Sequence, residues 1–220
     1  MPQIAIIDDN PELSGTLKKT IEHYLKKFGS NLTVINQYPF SEIGKYFAFV
    51  AENDVCLLIL DERLNDQATP EGSPVNYKGN QLVTELRKQL KDFPIMMITT
   101  FSSEEDLLDK ESEFEYLLNR DDITLNEETA NLYIPRLIRS AQRFLESNNK
   151  ELSEYNELTQ RIAGGEKKPE LVQRLEALQV KLELPTAGFD DRKAWLDQYE
   201  KHIEELESLK KELYSKIKGE

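Results

Sequence analysis

Gln3-Ile4-Ala5-Ile6-Ile7-Asp8-Asp9 is an apolar run that ends on two carboxylates, and Val55-Cys56-Leu57-Leu58-Ile59-Leu60-Asp61 repeats the pattern. Neither run alternates apolar with polar residues, so each reads as a strand of a parallel sheet covered on both faces. In an open parallel sheet, ligands bind at the carboxyl ends of the strands. Asp8, Asp9 and Asp61 are therefore expected at one edge, where without a compensating charge they repel and at least one pKa rises. A hard cation resolves the conflict, and Mg²⁺ suits it because it takes a few carboxylates plus waters and phosphate oxygens. The alternative is that each Asp caps a helix or opens a turn. Asp9 alone fits either reading; the pair together with Asp61 at the matching place on another strand favours the metal.

Outward from these runs, strands alternate with helices over residues 3–146. Strand one is Gln3–Ile7, and a helix from Pro11 to about Phe28 carries Leu13, Leu17, Ile21, Tyr24 and Leu25 at helical spacing. Strand two is Leu32–Asn36, and Ser41 is read as capping a helix with Ile43, Phe47 and Val50 inward. After strand three (Val55–Leu60), a long polar loop runs from Glu62 to Lys78, and Gly79 opens a helix bearing Leu82, Val83, Leu86 and Leu90. Strand four is Pro94–Thr99, a weakly amphipathic helix spans Ser102 to Ser112, and strand five is Phe114–Leu118. A last helix from about Glu127 to Glu146 turns Leu132, Leu137, Ile138, Ala141 and Leu145 inward, with Pro135 expected to kink or restart it. Strict alternation predicts right-handed crossovers and a five-stranded doubly wound parallel sheet over residues 1–147.

Residues 148–220 carry no strand signal and read as an all-α extension, a helical hairpin or coiled coil. Three helical patterns bear Leu152, Tyr155, Leu158 and Ile162, then Leu171, Leu175, Leu178 and Leu182, then a heptad-like seam from Leu196 to Ile217 interrupted by Lys210. The seam serves either an intramolecular bundle or a homodimer, and Trp195 at its start reads as a packing anchor.

Net charge is −13, and residues 149–220 hold 13 basic and 16 acidic side chains against 15 and 25 in the remainder. Neither part has the basic footprint of a nucleic-acid binder. The single cysteine, Cys56, excludes an internal disulfide framework, and no stretch reads as a signal peptide or membrane span. A cytoplasmic protein with no nucleic-acid or membrane partner is expected.

These residues resemble the receiver domain of two-component response regulators, of the chemotaxis-receiver type. Ile6-Ile7-Asp8-Asp9 matches its acidic pair, and Leu58-Ile59-Leu60-Asp61 its phosphoacceptor strand. Lys78-Gly79-Asn80-Gln81-Leu82 resembles the glycine turn before the third helix. Pro94-Ile95-Met96-Met97-Ile98-Thr99 matches strand four with its terminal hydroxyl, and Glu115-Tyr116-Leu117-Leu118 resembles strand five. The resemblance implies a flavodoxin-like fold that is not an enzyme beyond its own phosphorylation. It implies that Asp61 accepts a phosphoryl group from a histidine kinase or phosphotransfer protein, and that Asp8, Asp9, Asp61 and the Arg63 backbone carbonyl hold Mg²⁺. Thr99 would bond a phosphoryl oxygen, and Tyr116 would be the switch aromatic. Without the acidic cluster, Thr99 and Tyr116 would read as ordinary packing at strand ends.

Two features depart from the pattern. Asn119 stands at the usual lysine position, followed by Arg120, which reaches the site only after a one-residue shift. The loop between Asp61 and Gly79 is longer than receivers usually have, as suits a gating or partner-binding segment. The expected function is a phosphorelay response regulator signalling through protein contacts of its helical tail. The alternatives are a phosphorylation-independent scaffold and, third, a Mg²⁺-dependent phosphohydrolase.

Overall fold

The computed structural model describes residues 1–70, 72–163 and 168–183. All of them fall within one compact unit, Met1–Thr186. Trp195 and the expected seam from Leu196 to Ile217 lie outside the described residues.

Five parallel strands, β1 (Gln3–Ile7), β2 (Thr33–Gln37), β3 (Val55–Leu60), β4 (Ile95–Thr99) and β5 (Tyr116–Asn119), form one sheet in the order β2-β1-β3-β4-β5. This is the flavodoxin-like doubly wound order, with its switch point between β1 and β3. Helices α1 (Pro11–Lys27), α2 (Lys45–Glu52) and α3 (Gly79–Arg87) follow the first three strands. Ile4 and Ile6 point to a core shared with Leu17 and Ile21 of α1, whereas Ala5 and Ile7 point to the core with Tyr46, Val50, Leu82 and Leu86 of α2 and α3. All six residues of β3 are buried, so its unbroken apolar run is the price of lying at the centre.

Asn10, not Asp9, caps α1: its Oδ1 accepts the N–H groups of Glu12 and Leu13, and Pro11 starts the helix. Asp8 and Asp9 are thereby left for other work. Ser41 caps nothing, because α2 starts at Lys45 without a side-chain cap.

The largest departures from expectation lie beyond β4. The helix expected over 102–112 shrinks to α4 (Glu105–Leu108) and a single 3₁₀ turn, Glu111–Glu113. Leu107 is the one side chain α4 buries, and one apolar anchor cannot offset nucleation over a longer acidic segment. Strand β5 begins at Tyr116, not Phe114; Phe114 instead fills the core, and the Glu115 N–H donates to the Ile95 carbonyl.

After α5 (Arg120–Leu125), helix α6 runs from Glu127 to Ala163, through Pro135 and well past the end expected near Glu146. Ala130, Ile134, Leu137, Ile138 and Ala141 are buried on the sheet. Each large one stabilises by roughly 1.5–3 kcal/mol, which together outweighs the roughly 3 kcal/mol that an internal proline costs. Leu132, expected inward, is half exposed because the buried stripe passes through Ile134 instead. Helix α7 (Pro169–Glu183) folds back on α6, with Leu158 and Leu178 buried and the Arg174 guanidinium clasping Glu154 through two 2.7 Å contacts. Leu152, also expected inward, is half exposed. No helix among the described residues is long and apolar enough to cross a membrane.

Gly79 is where the fold touches the acidic edge. A Cβ there would lie 2.1 Å from the Asp61 carbonyl oxygen, and the Gly79 N–H donates to the Glu62 carbonyl at 2.9 Å. Only glycine lets the N-terminus of α3 approach the end of β3 so closely. Gly79→Ala should cost about 1–3 kcal/mol, the range of overpacking substitutions. Urea unfolding should show it as a lower midpoint with an unchanged slope.

Candidate acidic site

The parallel register sets the site. Ile7 pairs with Leu60, and the ladder extends one step further through the Asp61 N–H to the Ile7 carbonyl at 3.0 Å. Asp8 likewise donates its N–H to the Gln37 carbonyl at 3.3 Å. Both residues keep their backbones in the sheet while their side chains stand at its carboxyl edge. One carboxylate oxygen from each of Asp8, Asp9 and Asp61 lies within 4.8 Å of the others, and all three residues are buried.

Three buried carboxylates need counter-charge, and the structure supplies it from Arg120, the residue after the usual lysine position. The Arg120 Nη2 lies 2.8 Å from Asp8 Oδ2 and 2.8 Å from Asp61 Oδ1, with the arginine itself only 3% exposed. Asn119 does not share this task. Its Oδ1 accepts the Asp121 N–H and caps α5, and its amide donates to Ser102 Oγ at 3.4 Å. Backbone donors serve the other oxygens: the Asn10 N–H on Asp8 Oδ1, the Arg63 N–H on Asp61 Oδ2, and the N–H groups of Asp66 and Gln67 on Asp9 Oδ2.

Burial raises the Asp8 carboxyl to about 7, with Arg120 pulling it down and Asp61 pushing it up. Burial also raises Asp9, against the two loop N–H groups that favour its ionised form. Glu62 is fully buried beside the cluster and is pushed up to about 7, again chiefly by burial. Its Oε2 accepts the Asn80 N–H in the first turn of α3, and its Oε1 has no hydrogen-bond partner.

The rim is built by Arg63. Its guanidinium donates to Glu104 at 2.6 Å and lies over the Phe101 ring, 4.4 Å from the centroid. Lys78 stands 4.0 Å from both Glu62 and Glu104. Thr99, fully buried at the end of β4 and paired with Asn119, accepts the Phe101 N–H at 3.2 Å. Tyr116 is half-buried and meets Tyr133 of α6 edge-to-face.

The long loop is a packed element. Leu64, Thr69, Val75 and Tyr77 are buried, and Tyr77 donates to the Phe40 carbonyl and meets Tyr46 Oη at 3.1 Å. Sequence reasoning anticipated the three aspartates but not the loop's grip on Asp9 or the burial of Glu62. Arg120 was legible as a substitute for the usual lysine after a one-residue shift, but its contacts to both Asp8 and Asp61 were not.

The donor set fits a hard divalent cation. It consists of oxygens, and when all three carboxylates are ionised their charge exceeds that of Arg120 by two.

No protein-family model and no curated protein sequence matches this chain. Solved response-regulator receivers are similar to it in fold. A CheY-like receiver from Methanospirillum hungatei is 14% identical, with TM-score 0.44, over 65% of this chain and 98% of its own. The regulator TrrA of Thermotoga maritima, solved with Mg²⁺ and BeF, is 19% identical with TM-score 0.44, over 62% and 99%. The HemR receiver of Leptospira biflexa is 19% identical with TM-score 0.42, over 64% and 94%.

The raised Asp8 carboxyl has a consequence for stability. Between its ordinary value of 3.8 and about 7, the folded protein holds a proton that the unfolded chain releases. Stability from this group is therefore lost as pH rises through that window. In chelator-treated protein, Asp8→Asn should raise Tm relative to wild type by a margin that grows from pH 5 to pH 7.5. A margin constant with pH would place the proton elsewhere.

Proposed function

We propose that this chain is a phosphorelay receiver in which Asp61 accepts a phosphoryl group with Mg²⁺. The observation that carries this reading is the convergence of three buried carboxylates at the switch-point edge of the sheet, with a buried guanidinium on Asp61. A carboxylate nucleophile forms an acyl phosphate. The Asp61 oxygen bonds phosphorus as the phosphorus–nitrogen bond of a histidine kinase or phosphotransfer protein breaks, returning the electron pair to the imidazole.

Asp8, Asp9, Asp61 and the Arg63 carbonyl would hold the cation, which when bound neutralises charge on the phosphoryl oxygens. Thr99, at the end of β4, would donate its hydroxyl to a phosphoryl oxygen while that hydroxyl still accepts the Phe101 N–H. Arg120, not Asn119, fits the charge-pairing role, because its guanidinium already lies against Asp61. Tyr116, packed on Tyr133, would relay the change to α6.

The output reading is protein–protein contact by residues 148–220, either with a second copy of this chain or with a partner protein. Light scattering of the full chain across a concentration series separates the two: a dimer at high micromolar concentration marks self-association, and a monomer leaves an intramolecular bundle or a different partner.

A scaffold that works without phosphorylation is the second reading. It is favoured by the number of carboxylate oxygens already satisfied from within the protein.

Intact mass after incubation with Mg²⁺ and a small phosphodonor separates the two. Wild type should gain one phosphoryl group, Asp61→Ala none, and Asp9→Ala far less than wild type. Equal gain in wild type and Asp61→Ala, or none in either, would leave the scaffold reading standing.

A further inference from the structure

Five of the six oxygens of Asp8, Asp9 and Asp61 lie 2.6–3.1 Å from a protein nitrogen. Four of those five face neutral or charged donors at Asp8 and Asp61, and two of the four share a single nitrogen, Arg120 Nη2. A cation bound between Asp8 and Asp61 would sit against that guanidinium in a buried pocket, where like charges are weakly screened. Both cannot use the same oxygens in the same geometry.

We infer that Arg120 is a resident counter-ion of this pocket, and that a divalent cation enters by displacing its guanidinium from Asp8. The inference rests on the acidic cluster being a cation site, as the proposed function requires. It concerns the state of the pocket before any phosphoryl transfer.

Three observations support an exchange of partners, as opposed to a fixed structural ion pair. The guanidinium spends one nitrogen on both carboxylates, while its Nε is buried without a partner. Arginine–carboxylate pairs are frequently bidentate, and this one is not. The Ile98 carbonyl oxygen lies 3.5 Å from Nη2, so an acceptor is at hand when Asp8 is given up. Asp61 remains as a second carboxylate partner, so the buried charge is never left unpaired. Asp8 is then the exchanged ligand and Asp61 the pivot about which Arg120 turns.

Cation affinity is accordingly set by competition with an internal charge. Removing that charge strengthens binding, and retaining it weakens binding, without any change in the ligands themselves. Thermodynamic reciprocity requires the cation to weaken the Arg120–Asp8 contact by the same factor.

Mn²⁺ titration of the full chain, followed by the loss of the free-ion electron paramagnetic resonance signal, tests this without phosphorylation. Arg120→Gln should bind Mn²⁺ at least tenfold more tightly than wild type. Lys78→Gln, which removes an equal charge that touches neither Asp8 nor Asp61, should change the affinity less than threefold. In isotopically labelled wild type, the Arg120 Nε–H resonance should move as Mg²⁺ saturates, a readout that holds even where Arg120→Gln does not fold.

Equal or weaker Mn²⁺ binding by folded Arg120→Gln overturns the proposal, as does an equal gain in Lys78→Gln. An Arg120 resonance unmoved at saturating Mg²⁺ also overturns it. Failure of the receiver reading looks different: Mn²⁺ exchange with Arg120 proceeds, yet Asp61 gains no phosphoryl mass.

Discussion

Like charges forced together at the ends of neighbouring strands are the constraint from which the rest of this structure follows. Parallel pairing of Ile7 with Leu60 puts Asp8 and Asp61 side by side, and no rotation of either backbone can separate them. The conflict is met from three directions. Arg120 arrives from the first turn of α5, backbone N–H groups arrive from the loop after β3, and burial shifts part of the load onto protons. Each answer stabilises the pocket in a different way, so removing one does not remove the others. A site held in this manner trades stability for chemistry.

The loop from Glu62 to Lys78 is tied at both ends and in the middle. Arg63 is held by Glu104 and Phe101, Asp66 and Gln67 by Asp9, and Tyr77 by Phe40 and Tyr46. These ties connect β3, the segment after β4 and the segment after β2. Asp9, α2 and the Arg63–Glu104 pair are thus joined through this loop as well as through the sheet. The contact to Glu104 is charge-assisted and only partly exposed, so salt screens it less than a surface pair.

Much of this architecture was legible in the order of residues, because buried parallel strands write themselves as unbroken apolar runs. Strands β1, β3 and β4, the three aspartates at two strand ends and the helical character of the tail's first two patterns could all be read. Expectations failed where the apolar stripe was misplaced or where tertiary burial overrides propensity. Leu132 stands five and six residues before Leu137 and Ile138, whereas Ile134 stands three and four before them and is the residue the sheet buries. The acidic segment after β4 reads as a helix by propensity, but with Leu107 as its one buried side chain it forms barely a turn. The choice between Asn119 and Arg120 stayed open for a different reason. Counting positions assigns the charge-pairing role to Asn119, and only the turn from β5 into α5 reveals which of two adjacent side chains swings inward. A helix cap decides it: Asn119 is committed to the Asp121 N–H, and the next residue is the one free to enter.

Helix α6 carries a mechanical consequence. Its 37 residues form one continuous helix, about 55 Å along its path at 1.5 Å per residue. The N-terminal half is seated on the sheet beside Tyr116, and the C-terminal half stands clear as one arm of the hairpin with α7. Such a helix is a lever with its fulcrum at the sheet. A tilt of about 4° at the seat sweeps the end of a roughly 25 Å arm through nearly 2 Å. Tyr133 meets Tyr116 within the first turns of this helix, so the seat and the far end belong to one continuous hydrogen-bonded element that passes through Pro135.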